Sequence, residues 1–284
     1  MLQYPFQLVD VFGEKPFSGN PLAVIALPED RDSATLQRIT RWLNLSETAF
    51  LLPPTVPNAD YRVRIFTLDR ELPFAGHPTL GSCHAWLTMG GVPKDAGVVV
   101  QECGAGLITV RQSAEGLAFA APPLIRSGPV DADKLAEACA VLGIGIEDVV
   151  AAQWIDNGPG WLGLRLASAE AVIAVEPARS HKARMDIGLV GLHPEGHPHA
   201  YEVRAIFSDP YGALIEDPVT GSLNASVAQW MLGEGLVGPH YTATQGTRLG
   251  RDGRISIESE AGGPIWVGGN TETLFSGVTG QPAL

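Results

Sequence analysis

Two stretches of this chain begin alike: His77-Pro78-Thr79-Leu80-Gly81-Ser82 and Asp217-Pro218-Val219-Thr220-Gly221-Ser222. Each follows a strand-like segment and opens a run of sixteen residues without Lys, Arg, Asp or Glu, from His77 to Val92 and from Pro218 to Gly233. A helix that lacks a charged face has to be buried on every side. Strands precede and follow both runs, so each half reads as a sheet curled around one apolar helix. His or Asp suits the N-cap, and Pro suits the first helical position because its missing N–H would be unpaired there. The next free amides point out of the helix end, where anions bind. A Gly within a helix costs about 1 kcal/mol relative to Ala, so the shared Gly implies close approach by a ligand or by the other helix. Two unrelated Pro-initiated helices are the competing explanation, and the common Pro-x-x-Gly-Ser favours duplication.

At 284 residues the chain exceeds the usual single domain and suits two similar halves sharing a cleft. Prolines cluster at Ala121-Pro122-Pro123 and Ser127-Gly128-Pro129, where neither helical nor strand periodicity continues. The division is therefore expected between residues 1–122 and 123–284, with the last strands available to complete the first sheet. The net charge of -12, with basic residues scattered rather than clustered, argues against nucleic acid as a partner. Cys83, Cys103 and Cys139 are odd in number and widely spaced, as expected for reduced thiols in a cytoplasmic protein rather than for disulfides or a zinc site. The beginning, Met-Leu-Gln-Tyr-Pro-Phe, lacks the features of a secretory signal, and the uncharged runs are too short and too interrupted to span a bilayer.

Strands are expected at Phe6 to Phe12, Leu22 to Leu27, through Leu52, Tyr61 to Thr67, Val98 to Glu102, Leu107 to Arg111 and Leu117 to Ala120. Asp30 to Trp42 and Asp131 to Leu142 read as amphipathic helices. Beyond the second of these, strands are expected at Trp161 to Leu166, Ala171 to Val175, Asp186 to Val190, Tyr201 to Phe207, Ile255 to Glu258, Pro264 to Val267 and Leu274 to Val278.

The chain has no phosphate loop, no His-Glu-x-x-His and no strand-borne dinucleotide fingerprint, so neither a nucleotide cofactor nor a metal is expected. The acids and bases near the helix starts are His77, Asp217 and Glu216. Both His77 and Asp217 also have a purely structural reading as capping residues. Glu47, in Ser46-Glu47-Thr48 between two apolar runs, is either a solvated loop carboxylate or an acid whose pKa an apolar setting raises toward neutrality. Asn20 sits in a Ser-Gly-Asn-Pro turn.

Five segments occur in order: Val9-Asp10-Val11-Phe12, Pro16-Phe17-Ser18-Gly19-Asn20-Pro21-Leu22-Ala23-Val24, Leu45-Ser46-Glu47-Thr48-Ala49-Phe50, Glu71-Leu72-Pro73-Phe74-Ala75-Gly76-His77-Pro78-Thr79 and Glu216-Asp217-Pro218-Val219-Thr220-Gly221-Ser222. Together they resemble the PhzF family, named for phenazine biosynthesis. The resemblance implies a diaminopimelate-epimerase-like α/β fold: two pseudo-symmetric halves, each a curved mixed sheet around a central helix, with the site in the cleft between them. It implies a cofactor-independent isomerase that shifts a proton in a small anionic metabolite, and a homodimer. By position, Glu47 matches the family's general acid/base, Gly76 and His77 one wall of the site, and Asp217, Gly221 and Ser222 the other, while Asn20 lines the cleft. Epimerases of this fold carry paired cysteines at the two helix starts, where the resemblance puts His77-Pro78 and Asp217-Pro218. Leu223-Asn224 and Leu68-Asp69-Arg70 depart from the family pattern, so the substrate is left open. Two alternatives stand beside the isomerase: a non-catalytic small-molecule binder, and an amino-acid epimerase with carboxylate and histidine bases.

Overall fold

A computed structural model describes residues 3–113 and 116–280. The chain divides into two compact units, one of Met1–Ala120 with Gly268–Leu284 and the other of Ala121–Val267. No helix among the described residues is long and apolar enough to cross a membrane.

The first unit contains β1 (Pro5–Val11), β2 (Asn20–Ala26), α1 (Ser33–Leu43), β3 (Glu47–Leu52), β4 (Tyr61–Thr67), β5 (Glu71–Leu72), α2 (Gly76–Thr88), β6 (Val98–Cys103), β7 (Gly106–Ser113), β8 (Gly116–Ala120) and the closing strand Thr271–Val278. β1 is antiparallel to both β2 and the closing strand. β2 runs parallel to β3, β3 antiparallel to β4, and β4 parallel to β6. A parallel pair cannot be closed by a hairpin; α1 supplies the crossover from β2 to β3, and α2 lies on the path from β4 to β6. Asp32 caps α1 by accepting the Thr35 N–H at 2.9 Å, and Asn44 ends it in the left-handed region at φ 56°. Its Leu36 packs on Phe50, Leu52, Phe66 and Ile25 on one side of the sheet.

On the other side α2 is touched by eight strands of this unit, β1 to β4, β6 to β8 and the closing strand. This explains its uncharged sequence. The neighbours of Gly81 are sheet side chains rather than a ligand or a second helix: a Cβ there would fall 2.6 Å from Leu22 Cδ2 and 3.0 Å from Val11 Cγ2. Cys83 is fully buried in this packing, and burial pushes its thiol up to about 12. Thiol labelling of the native protein at pH 8 is therefore expected to spare Cys83 until the chain is unfolded.

The second unit contains β9 (Arg126–Pro129), α3 (Ala132–Leu142), β10 (Val149–Asp156), β11 (Leu162–Leu166), α4 (Ala169–Ala174), β12 (Asp186–Leu192), β13 (Tyr201–Ser208), β14 (Leu214–Asp217), α5 (Gly221–Gly233), β15 (His240–Gln245) and β16 (Gly253–Ser259). Its pairing repeats that of the first. β10 is antiparallel to β9 and β11, β11 parallel to β12, β12 antiparallel to β13, and β13 parallel to β15. Thus β9 stands where the closing strand stands in the first unit, α4 where α1 stands and α5 where α2 stands.

α4 corrects the expectation of a strand at Ala171 to Val175. The parallel pairing of β11 and β12 needs a crossover, and Ser168 starts a helix by accepting the Ala171 N–H at 3.2 Å, with Glu170 in the first turn. β9, β10, β14 and β15 carry too weak an alternation to have been read as strands. One side of the sheet buries Leu162, Leu164, Leu166, Ile187 and Leu189 with Ala138 and Leu142 of α3 and Val172 of α4. On the other side, glycines admit α5. A Cβ at Gly188 would lie 2.3 Å from Leu223 Cδ1, and one at Gly163 would lie 2.9 Å from the Trp230 ring. Gly188→Ala is expected to destabilise the protein by about 1–3 kcal/mol through overpacking, read as a lower urea midpoint with unchanged slope.

Candidate active site

The turn between β1 and β2 is held by one carboxylate: Asp10 accepts the N–H of Ser18 at 3.0 Å and of Gly19 at 2.8 Å. A side chain at Gly19 would strike the Val11 carbonyl at 2.2 Å, so only glycine fits. The turn delivers Asn20, fully buried, to the first position of β2 opposite Val11. Glu47 takes the first position of β3 just after the left-handed Asn44 ends α1, opposite Thr67 of β4.

His77 is the second residue of α2, whose N-cap is Ala75 without a side-chain cap. The expectation that His77 caps this helix and Pro78 opens it is therefore corrected: Gly76 is first and Pro78 third. Proline is tolerated there because every amide of a first helical turn lacks an intrahelical acceptor. The consequence is chemical. Freed from capping, the His77 ring meets Glu47, with Nδ1 3.3 Å from Oε2, and the two side chains are only 3% and 17% exposed. Glu47 Oε2 and His77 Nε2 are both buried and have no hydrogen-bond partner among the described residues. Glu47 is thus no solvated loop carboxylate.

In the second unit Asp217 is the last residue of β14, and α5 begins four positions later at Gly221 behind an N-cap of Thr220. Asp217 caps no helix directly, and Pro218 lies outside α5, which corrects the second capping expectation as well. Asp217 instead accepts a 2.6 Å hydrogen bond from the Thr220 hydroxyl. Ser222 is the second residue of α5; its hydroxyl accepts the Trp161 indole N–H at 3.1 Å, and its carbonyl accepts from Asn157 at 2.9 Å.

The sequence repeat and the structural repeat are therefore out of step. Counted from the helix starts, Gly76 corresponds to Gly221 and His77 to Ser222, not to Asp217. The same duplication matches Glu47 at the head of β3 with Asp186 at the head of β12. Asp186 is held by Arg184 through contacts of 2.9 and 3.2 Å, so the carboxylate of the second unit pairs with an arginine where that of the first meets a histidine.

Sequence reasoning missed the groups that support the two helix starts. Gln101, fully buried on β6, donates to Thr79 of α2 at 3.0 Å and accepts from Tyr61 at 2.9 Å. Gln245, fully buried on β15, donates to Thr220 at 3.1 Å. For Gln101, which follows three valines in β6, a glutamine after an apolar run was the available signal, since buried amides require partners.

The sequence pattern of the phenazine biosynthesis-like protein family matches residues 9–277. The chain belongs to this family, the PhzF family. It is 32% identical to antisense-enhancing sequence 1 of Schizosaccharomyces pombe, covering 98% of this chain and 99% of that protein. It is 29% identical to trans-2,3-dihydro-3-hydroxyanthranilate isomerase of Pseudomonas aeruginosa, covering 96% and 98%. A solved PhzF-family protein of Enterococcus faecalis superposes with a TM-score of 0.78 at 25% identity, covering 98% and 99%. Relatives named as isomerases make this PhzF-family chain an isomerase. The same comparisons identify its mixed α/β architecture as the PhzF fold.

Proposed function

We propose that the protein is a cofactor-independent isomerase in which Glu47 moves a proton between two carbons of a small unsaturated carboxylic acid. The observation that carries this reading is the buried Glu47–His77 contact of 3.3 Å beside the start of α2. Ionised Glu47 takes a proton from carbon conjugated with the substrate carboxylate. The electron pair left behind delocalises toward that carboxylate, and protonated Glu47 returns the proton at the far end of the conjugated system. One C–H bond breaks, another forms, and the double bond moves, with no change of oxidation state. His77 stabilises and orients this charge, aided by the positive end of the α2 dipole.

In the same reading Asp217 assists proton handling, and Asn20, Gly76, Gly221 and Ser222 bind the substrate. The protein would act in the cytoplasm as a homodimer on an anionic metabolite. The pairing of Asp186 with Arg184 disfavours a second carboxylate base at the position of the second unit that corresponds to Glu47.

Incubation in deuterated water with trans-2,3-dihydro-3-hydroxyanthranilate, followed by a panel of unsaturated cyclic acids, tests the proposal. Deuterium entering carbon together with a shifted double bond supports it. Binding without exchange would identify a non-catalytic binder, and exchange with inversion at one carbon an epimerase.

A further inference from the structure

The four hydrogen-bonding positions of the Gln245 side chain are all occupied at the start of α5. Its Oε1 accepts the Thr220 backbone N–H at 3.0 Å and the Asn224 side-chain amide at 2.7 Å. Its Nε2 donates to the Asp217 carbonyl at 3.1 Å and to the Thr220 hydroxyl oxygen at 3.1 Å. The orientation of this amide is fixed by chemistry. A backbone N–H only donates, so the atom facing Thr220 N must be the oxygen, and the atom facing the Asp217 carbonyl must be the nitrogen.

Thr220 is oriented in turn. Its hydroxyl oxygen already accepts from Gln245, so its single proton is directed to its other neighbour, Asp217 Oδ2, at 2.6 Å. A hydrogen bond to an ionised carboxylate is stronger than one between neutral groups and favours the charged form. Asn224 adds a 3.0 Å bond to the Thr220 carbonyl, so the threonine is held from both backbone sides. Gln245 is itself fully buried and anchored on β15.

We propose that Gln245 and Thr220 are positioning residues for Asp217: Gln245 orients the Thr220 hydroxyl, and that hydroxyl holds the Asp217 carboxylate ionised and pointed in one direction. This rests on the reading that Asp217 takes part in the reaction, but it is tested by a measurement that does not. The carboxyl carbon of Asp217 is followed by 13C NMR through a pH titration in the full chain, assigned by comparison with Asp217→Asn. In Thr220→Val, which keeps the shape and removes the hydroxyl, the Asp217 midpoint is expected to move up by about one pH unit. In Thr220→Ser it is expected to return to within about 0.3 unit of the parent. Gln245→Met, which leaves the Thr220 proton undirected, is expected to give an intermediate upward shift, with folding verified by circular dichroism.

An unchanged midpoint in Thr220→Val, or a shift that Thr220→Ser does not reverse, overturns the proposal. If the midpoint moves as expected while the pH profile of deuterium exchange does not, the positioning role stands and the participation of Asp217 in turnover fails.

Discussion

Glu47→Gln is expected to reduce deuterium exchange into substrate carbon by about 10²–10⁴-fold, the usual contribution of a positioned general base. The substitution keeps side-chain length and a carbonyl-type oxygen near His77, so binding of a substrate analogue should change little. The loss then belongs in turnover rather than in affinity. His77→Gln is expected to have a smaller effect, because the base remains and only its neighbour changes. An exchange rate in Glu47→Gln equal to the parent's would remove Glu47 from the mechanism. The 3.3 Å contact and the depth of both side chains make the two variants coupled rather than additive.

The largest stability effect is expected from Glu216→Ala. Arg204 is 2% exposed and Glu216 9%, and they form a bidentate pair with bonds of 3.1 and 2.8 Å. The remaining guanidinium nitrogen donates to the carbonyls of Val172 at 2.9 Å and Val175 at 2.7 Å, closing the end of α4. Removing the glutamate leaves the arginine charged, buried and without its counter-ion, which typically costs about 3–5 kcal/mol. Urea unfolding at pH 7 measures this. Replacing both residues by apolar ones of similar volume, Arg204→Met with Glu216→Leu, should recover much of the loss. A Glu216→Ala loss below about 1 kcal/mol would mean that water reaches the guanidinium.

The sequence announced the two apolar helices because absence of charge over a whole helical surface has one physical cause, burial on all sides. It also marked Glu47 and His77, through polar residues set among apolar ones. The phase of the helices was not legible. Proline is compatible with any of the first helical positions, so Pro78 could stand third in α2 while Pro218 stood outside α5. That ambiguity aligned His77 with Asp217 when the fold aligns it with Ser222.

α4 was misread for a related reason. Ala171 to Val175 is too short and apolar for periodicity to choose between helix and strand, and the choice is made by a parallel strand pairing distant in sequence. Arg204, Glu216 and Gln245 left no local trace of their roles. Their partners come from elements 12 to 32 residues away.

Because the closing strand Thr271–Val278 pairs with β1, with Pro5 opposite Val278, the first sheet is assembled from the two extremes of the chain. During synthesis its first ten elements emerge early, yet one neighbour of β1 is still to be made. Translation at about 5–20 residues per second puts about 7–30 seconds between Ala120 and Gly268. Over that interval the edge of β1 is open, while the second unit, contiguous from Ala121 to Val267, already has its own β9 in place. The half that is made first is therefore finished last, because its β1 waits for the closing strand.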